Sequence, residues 1–203
     1  MNKLNKIYLD VDGVLADWQT AAIKAVGLDP GSAAVKGILA KNPRQMENLP
    51  GFERMSSCIA DLGTKFWEDL QPFPWTTQLI KLATDAVGVE NVALLTNPGK
   101  YAHACTGKFI WWQKHCSQLK CVITKDKYLL ARPDVILVDD DARKLHEFQT
   151  YGGLTWLWQD QNALLVEGNG AVVLSSLQVY LEMLTRGYTH GLLGTKAVPA
   201  VFT

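Results

Sequence analysis

Three short polar stretches, far apart in the chain, hold residues suited to phosphoryl chemistry: Asp10-Val11-Asp12-Gly13, Thr96-Asn97-Pro98 and Asp139-Asp140-Asp141. Each follows a short apolar run. In an open α/β sheet, ligands bind beyond the carboxyl ends of the strands, so the three stretches would bring several carboxylates and a hydroxyl to one edge. At about 4 Å and an effective dielectric near 20, each like-charged pair costs on the order of 4 kcal/mol, so such a cluster needs a cation. Oxygen-only ligands, with no His or Cys among them, favour magnesium over zinc. One aspartate is then free to attack phosphorus. A second, two residues on, points to the same face of the extended chain and can handle the leaving-group proton. Gly13 allows a sharp backbone turn beside them. Taken alone, Asp-x-Asp-Gly reads equally well as a turn or a calcium loop. An EF-hand loop, however, needs further oxygen ligands, a Gly at its sixth position and a Glu at its twelfth. Counting from Asp10, Val14, Leu15 and Ala21 stand at the fifth, sixth and twelfth places.

The elements that must position these residues follow from the apolar pattern. Runs at 7–9, 92–95, 121–123 and 135–138 read as buried strands, with a further strand at 154–157, and helix-like stretches separate them. This alternation predicts a doubly wound α/β fold with a parallel sheet. More than eighty residues lie between the first two strands, too many for one crossover helix, and Pro30-Gly31, Pro43 and Pro50-Gly51 interrupt them. The excess implies an insertion. Its helical segments, 16–26, 32–41 and 53–70, predict a small helical cap over residues 18–74, with the core formed by 1–17 and 75–186. After Gly168-Asn169-Gly170, a short apolar run and a helix near 175–186 are expected to close the domain. The tail, 187–203, has no clear period and is read as partly disordered.

Composition removes several alternatives. Twenty basic and twenty acidic residues cancel, so no general positive field attracts duplex nucleic acid or an anionic membrane. No run approaches the roughly 18 apolar residues of a membrane span. The N-terminal residues lack the features of a signal or transit segment, and Cys58, Cys105, Cys116 and Cys121 show no metal or redox spacing. A reduced, cytoplasmic protein is expected.

The series Asp10-Val11-Asp12-Gly13-Val14-Leu15-Ala16-Asp17, Leu95-Thr96-Asn97 and Leu137-Val138-Asp139-Asp140 resembles the haloacid dehalogenase superfamily of phosphotransferases. Within it, the chain is most similar to the 5'(3')-deoxyribonucleotidases. That likeness extends through Phe66-Trp67-Glu68-Asp69-Leu70-Gln71-Pro72, Lys100-Tyr101, Gly107-Lys108 with Trp111 or Trp112 beyond, and Ile123-Thr124-Lys125-Asp126-Lys127. The resemblance implies a magnesium-dependent phosphatase acting on a small phosphate ester, a nucleoside monophosphate above all, through an aspartyl-phosphate. Asp10 would attack phosphorus, and Asp12 would serve as general acid and then base. Thr96, Asn97 and Lys108 would bind the phosphoryl group. Asp139 and Asp140, with the Asp10 side chain and the Asp12 carbonyl, would hold Mg2+. A homodimer is implied by the family alone. Two departures stand out: Asn97 replaces a usual serine, and Lys125 replaces a common arginine, losing a bidentate grip.

Other residues admit plainer readings. Trp18 and Trp67 flank the expected mouth, where aromatics would sandwich a base, although an isolated tryptophan is more often core. Trp111, Trp112, Trp156 and Trp158 read as core or interface, and His103, His115, His146 and His190 as surface or satisfied polar groups. Lys100, Lys108, Lys125 and Lys127 also read as solvated charges on helix ends, although two of them fall on family positions. Lys125, fourteen residues before Asp139, fits the superfamily's usual phosphate-binding base, whereas the nucleotidase likeness favours Lys108 for contact with phosphate. Rival readings are the same chemistry on a sugar phosphate or a nucleic-acid 3'-phosphate end, and a non-catalytic binding module of the same fold.

Overall fold

The computed structural model describes residues 3–41, 46–159 and 170–187. The expected tail beyond 187, His190, Pro43 and the Gly168-Asn169 pair lie outside them. Five strands form one parallel sheet: β1 (Lys6–Leu9), β2 (Val92–Thr96), β3 (Lys120–Ile123), β4 (Val135–Asp139) and β5 (Leu154–Leu157), in the order β3-β2-β1-β4-β5. The three central strands are apolar along most of their length because both faces are covered. Their alternate residues separate cleanly. Ile7, Leu9, Val92, Leu94, Ile136 and Val138 enter the larger core, while Tyr8, Ala93, Leu95, Val135 and Leu137 enter the smaller one.

Helix α7 (Ala142–Thr150) covers the smaller core with Leu145 and Phe148. On the opposite face, α5 (Thr76–Val87) contributes Leu79, Ile80 and Ala83, and the closing helix α8 (Gly170–Thr185) contributes Val173, Leu174, Leu177, Leu181 and Leu184. This last helix begins earlier than its sequence pattern suggested, because the apolar run after Gly170 is its first turns. Helix α6 (Ala102–His115) connects β2 to β3 and buries Trp111.

Between β1 and α5 lies the helical insert: α1 (Trp18–Ala25), α2 (Ala33–Lys41), α3 (Phe52–Leu62) and α4 (Thr64–Glu68). The segment expected as one helix over 53–70 is two. Gly63, at φ +60°, takes a conformation that other residues rarely adopt and breaks it. The chain enters and leaves the insert through paired strands of backbone. Asp17 N donates to Gln71 O at 2.8 Å and Phe73 N to Leu15 O at 2.9 Å. Trp75 Nε1 and Thr76 Oγ1 donate to Val14 O and Leu15 O at 2.9 and 2.7 Å. These bonds pin the insert to the loop that follows β1. No helix among the described residues is long and apolar enough to cross a membrane.

Candidate active site

The winding of the sheet starts at β1, runs outward through β2 and β3, then returns to β4 on the other side. The connections that leave the neighbouring strands β1 and β4 therefore turn to opposite faces of the sheet, and between them open α/β sheets form a binding crevice. Asp10 follows β1 directly, and its N–H donates to Val138 O at 2.9 Å, so it is held in line with β4. Asp139 ends β4. Both carboxylates are buried, at 2% and 0% exposure.

Burial of two carboxylates side by side requires countercharge. Lys127 supplies it from a 3-10 turn after β3: its ammonium lies 2.7 Å from Asp10 Oδ1 and 2.7 Å from Asp139 Oδ2, and is itself buried. Lys144, in the first turn of α7, lies 3.8 Å from Asp10 Oδ2 and 3.9 Å from Asp139 Oδ1. The two acids respond differently. Burial would raise the Asp10 carboxyl, but Lys127 and Lys144 overcome this and hold it below the usual carboxylate range. At Asp139, burial and the neighbouring Asp10 charge prevail over the same lysines and push its pKa up. For Lys144, the charges of Asp10, Asp139, Asp140 and Asp141 outweigh desolvation and keep the ammonium protonated.

Asp10, Asp139 and Asp140 each present an oxygen within 4.8 Å of the others, a set suited to a hard divalent cation. Gly13 makes room for the third member. It turns at φ +80°, and a Cβ there would collide with the Asp140 carboxylate. The Val11 carbonyl accepts from Val14, Leu15 and Ala16 N–H groups and fixes this loop.

Asp12 extends toward the opposite wall, where Oδ2 accepts from Lys108 of α6. Lys108 also donates to Thr96 Oγ1 at 3.2 Å and Asn97 O at 2.7 Å, so its three N–H bonds have three acceptors. The face of Trp67 lies 4.7 Å from the same ammonium. Helix α4, which carries Trp67, approaches α6 at Gly107, where a Cβ would come within 2.6 Å of Thr64 O. Trp111 Nε1 adds a bond to Leu70 O at 2.8 Å.

The structure thus gathers Asp10, Asp12, Thr96, Asn97, Lys108, Asp139 and Asp140 at one edge, with Trp18 and Trp67 on the wall formed by the insert. The crevice holds about 810 Å³. Asn97 has one end of its amide engaged, since Oδ1 accepts from Gly99 N at 2.9 Å. Lys125 stands apart. It is exposed in an adjoining hollow that shares Asn97, Asp141, Arg143 and Lys144 with the crevice. The lysine of that segment that reaches the carboxylates is Lys127, two residues on. Sequence reasoning gave Lys127 no role of its own and overlooked Lys144. A signal for Lys144 did exist, because a lysine in the first turn of a helix opposes the helix dipole and implies acidic neighbours.

No family model and no curated protein matches the sequence. Among solved structures, the fold is similar to that of a phosphonoacetaldehyde hydrolase like protein from Oleispira antarctica, with TM-score 0.53 and 13% identity over 92% of this chain and 95% of that one. A haloacid dehalogenase-like family hydrolase from Xanthomonas campestris aligns with TM-score 0.51 and 10% identity over 91% and 95%. At such identities the likeness establishes the architecture: a Rossmann-like core of the haloacid dehalogenase type with a helical insert after β1.

Proposed function

We propose that this protein is a magnesium-dependent phosphomonoesterase that forms a phosphoenzyme on Asp10 and acts on nucleoside monophosphates, deoxyribonucleotides in particular. One observation carries the reading: a buried carboxylate with a depressed pKa stands at the switch point between two lysines, with a second carboxylate two residues away on a third. Such a group is ionised at neutral pH and directed into a crevice, as a nucleophile must be.

In this mechanism, an Asp10 oxygen forms a bond to phosphorus as the bond from phosphorus to the ester oxygen breaks. Asp12, after taking up a proton from solvent as the ester binds, gives it to the departing oxygen. It then takes a proton from the water that attacks phosphorus, the Asp10–phosphorus bond breaks, and inorganic phosphate and free Asp10 are restored. Thr96 offers its hydroxyl proton to a phosphoryl oxygen, and Lys108, whose donors are engaged, sets its charge against the phosphoryl group and fixes the direction of Asp12. Asp10, Asp139 and Asp140 would hold the magnesium ion, which when bound supplies positive charge against the phosphate oxygens.

The nucleotide assignment rests on the motif likeness together with the size of the crevice and its aromatic wall. An opening of about 810 Å³ bordered by Trp18, Trp67 and Phe52 suits a nucleoside attached to the reacting phosphate. The test is a phosphate-release screen of the purified protein with magnesium across nucleotides, sugar phosphates and 3'-phosphorylated oligonucleotides. Preference for deoxyribonucleoside monophosphates is expected. Preference for a sugar phosphate or an oligonucleotide end would retain the chemistry and replace the substrate, whereas no release from any ester would refute the phosphatase reading.

A further inference from the structure

Asp10 and Asp139 divide their four carboxylate oxygens between two lysines. Lys127 takes Asp10 Oδ1 and Asp139 Oδ2 at 2.7 Å each. The other pair, Asp10 Oδ2 and Asp139 Oδ1, faces Lys144 at 3.8 and 3.9 Å. Those separations exceed hydrogen-bonding distance, so Lys144 acts on this side by its charge without consuming the oxygens as acceptors. Asp140, the third acid of the cluster, also acts electrostatically on Lys144. The Lys144 side chain is only 31% exposed, so water screens its charge incompletely.

The charges facing one another then determine what the cluster attracts. Asp10, Asp139 and Asp140 carry three negative charges, and Lys127 and Lys144 two positive ones, leaving a single negative charge for a divalent cation. The remaining neighbours balance in pairs, Asp12 with Lys108 and Asp141 with Arg143. A cation entering alone would give this group a net positive charge beside Lys144. A phosphate dianion arriving with it reverses that sign and gains from Lys144 directly.

We infer that Lys144 sets the order of preference between the two ligands: it weakens binding of a divalent cation to the free carboxylate cluster and strengthens binding of phosphate, so that the cation is held tightly only when phosphate accompanies it. This rests on the phosphatase reading, in which the three aspartates are the cation's ligands. Lys144 is thus a positioning charge, distinct from Lys127, whose ammonium is committed to the opposite oxygens.

Calorimetric titration of the full chain tests this, with Mg2+ alone, with inorganic phosphate alone, and with Mg2+ in the presence of phosphate. Lys144→Met should bind Mg2+ alone at least about tenfold more tightly than the unaltered protein, the size expected from removing a unit charge a few ångströms away. It should bind phosphate alone more weakly. Lys144→Arg, which keeps the charge, should restore the original pattern. A general packing defect would weaken both ligands and would not reverse with arginine. Unchanged or weaker Mg2+ binding in Lys144→Met overturns the inference. Release of phosphate from an aryl phosphate, followed in the same samples, separates the two claims. Turnover by the unaltered protein with no Mg2+ effect in the methionine variant removes the role of Lys144 alone, and no turnover by either removes the phosphatase reading.

Discussion

The ammonium of Lys108 lies 4.7 Å from the centre of the Trp67 ring, joining a core helix to the insert at the point where Asp12 is held. Trp67 therefore affects the reaction site as well as the substrate wall. Replacing Lys108 with Met should lower kcat by about 10² to 10³-fold, the usual cost of one preorganised electrostatic contact. Lys125→Met should change KM or substrate preference more than turnover. Trp67→Ala should slow a small aryl phosphate and a nucleotide alike through Lys108. Trp18→Ala should cost about 1 to 3 kcal/mol on the nucleotide only, the range for loss of a base stack. Steady-state kinetics on both substrates distinguishes these outcomes, and an undisturbed aryl phosphate rate in Trp67→Ala would mean that the ring does not support Lys108.

Lys127 is the sole cation within 3 Å of both buried acids among the described residues. Lys127→Met leaves Asp10 and Asp139 facing each other with Lys144 at 3.8 to 3.9 Å as their remaining ion-pair partner among the described residues. Loss of one member of such a buried pair typically costs about 3 to 5 kcal/mol. Urea unfolding of the chelated protein should show a loss of that order, part of which magnesium restores by standing in for the missing charge. Equal stability of the variant and the parent would contradict the arrangement.

Asp139 gives a pH signature. Its folded pKa is raised above the unfolded value, so its contribution disfavours the metal-free fold above the unfolded pKa, near 3.8, grows as pH rises to the folded pKa, and is constant beyond it. Asp10, with a lowered pKa, works in the opposite sense: its favourable contribution is present above the unfolded value and is lost as pH falls through the folded one. In chelated protein, Asp139→Asn should thus raise the melting temperature at pH 7, with the gain shrinking toward pH 4, whereas Asp10→Asn should give no such gain. A pH-independent effect in Asp139→Asn would show that its charge is not the cause.

Chelation should abolish phosphate release, and magnesium should restore it. Calcium should restore it poorly, because its larger and looser coordination fits a closely held group of three carboxylates and a phosphate less well. Activity that survives exhaustive chelation would remove the cation from the account.

The sheet was readable because parallel strands covered on both faces are continuous apolar runs, so 135–138 and 92–95 identify β4 and β2 to within one residue. The acids at the strand ends follow from that. What local pattern could not supply was direction. Lys125 and Lys127 lie two residues apart, and only the 3-10 turn from Lys127 to Leu130 decides which one turns inward. Lys144 becomes part of the cluster only once α7 packs beneath β4. Likewise, the break at Gly63 depends on a left-handed backbone angle that a helical pattern over 53–70 conceals.

The central claim is that Asp10 is the nucleophile. The most direct measurement is the phosphate-release rate of Asp10→Asn on the best substrate of the screen, at saturating magnesium, with circular dichroism confirming that the fold persists. The mechanism predicts a fall in kcat of about 10⁴-fold or more, as loss of a nucleophile produces elsewhere. Turnover near that of the unaltered protein would contradict it.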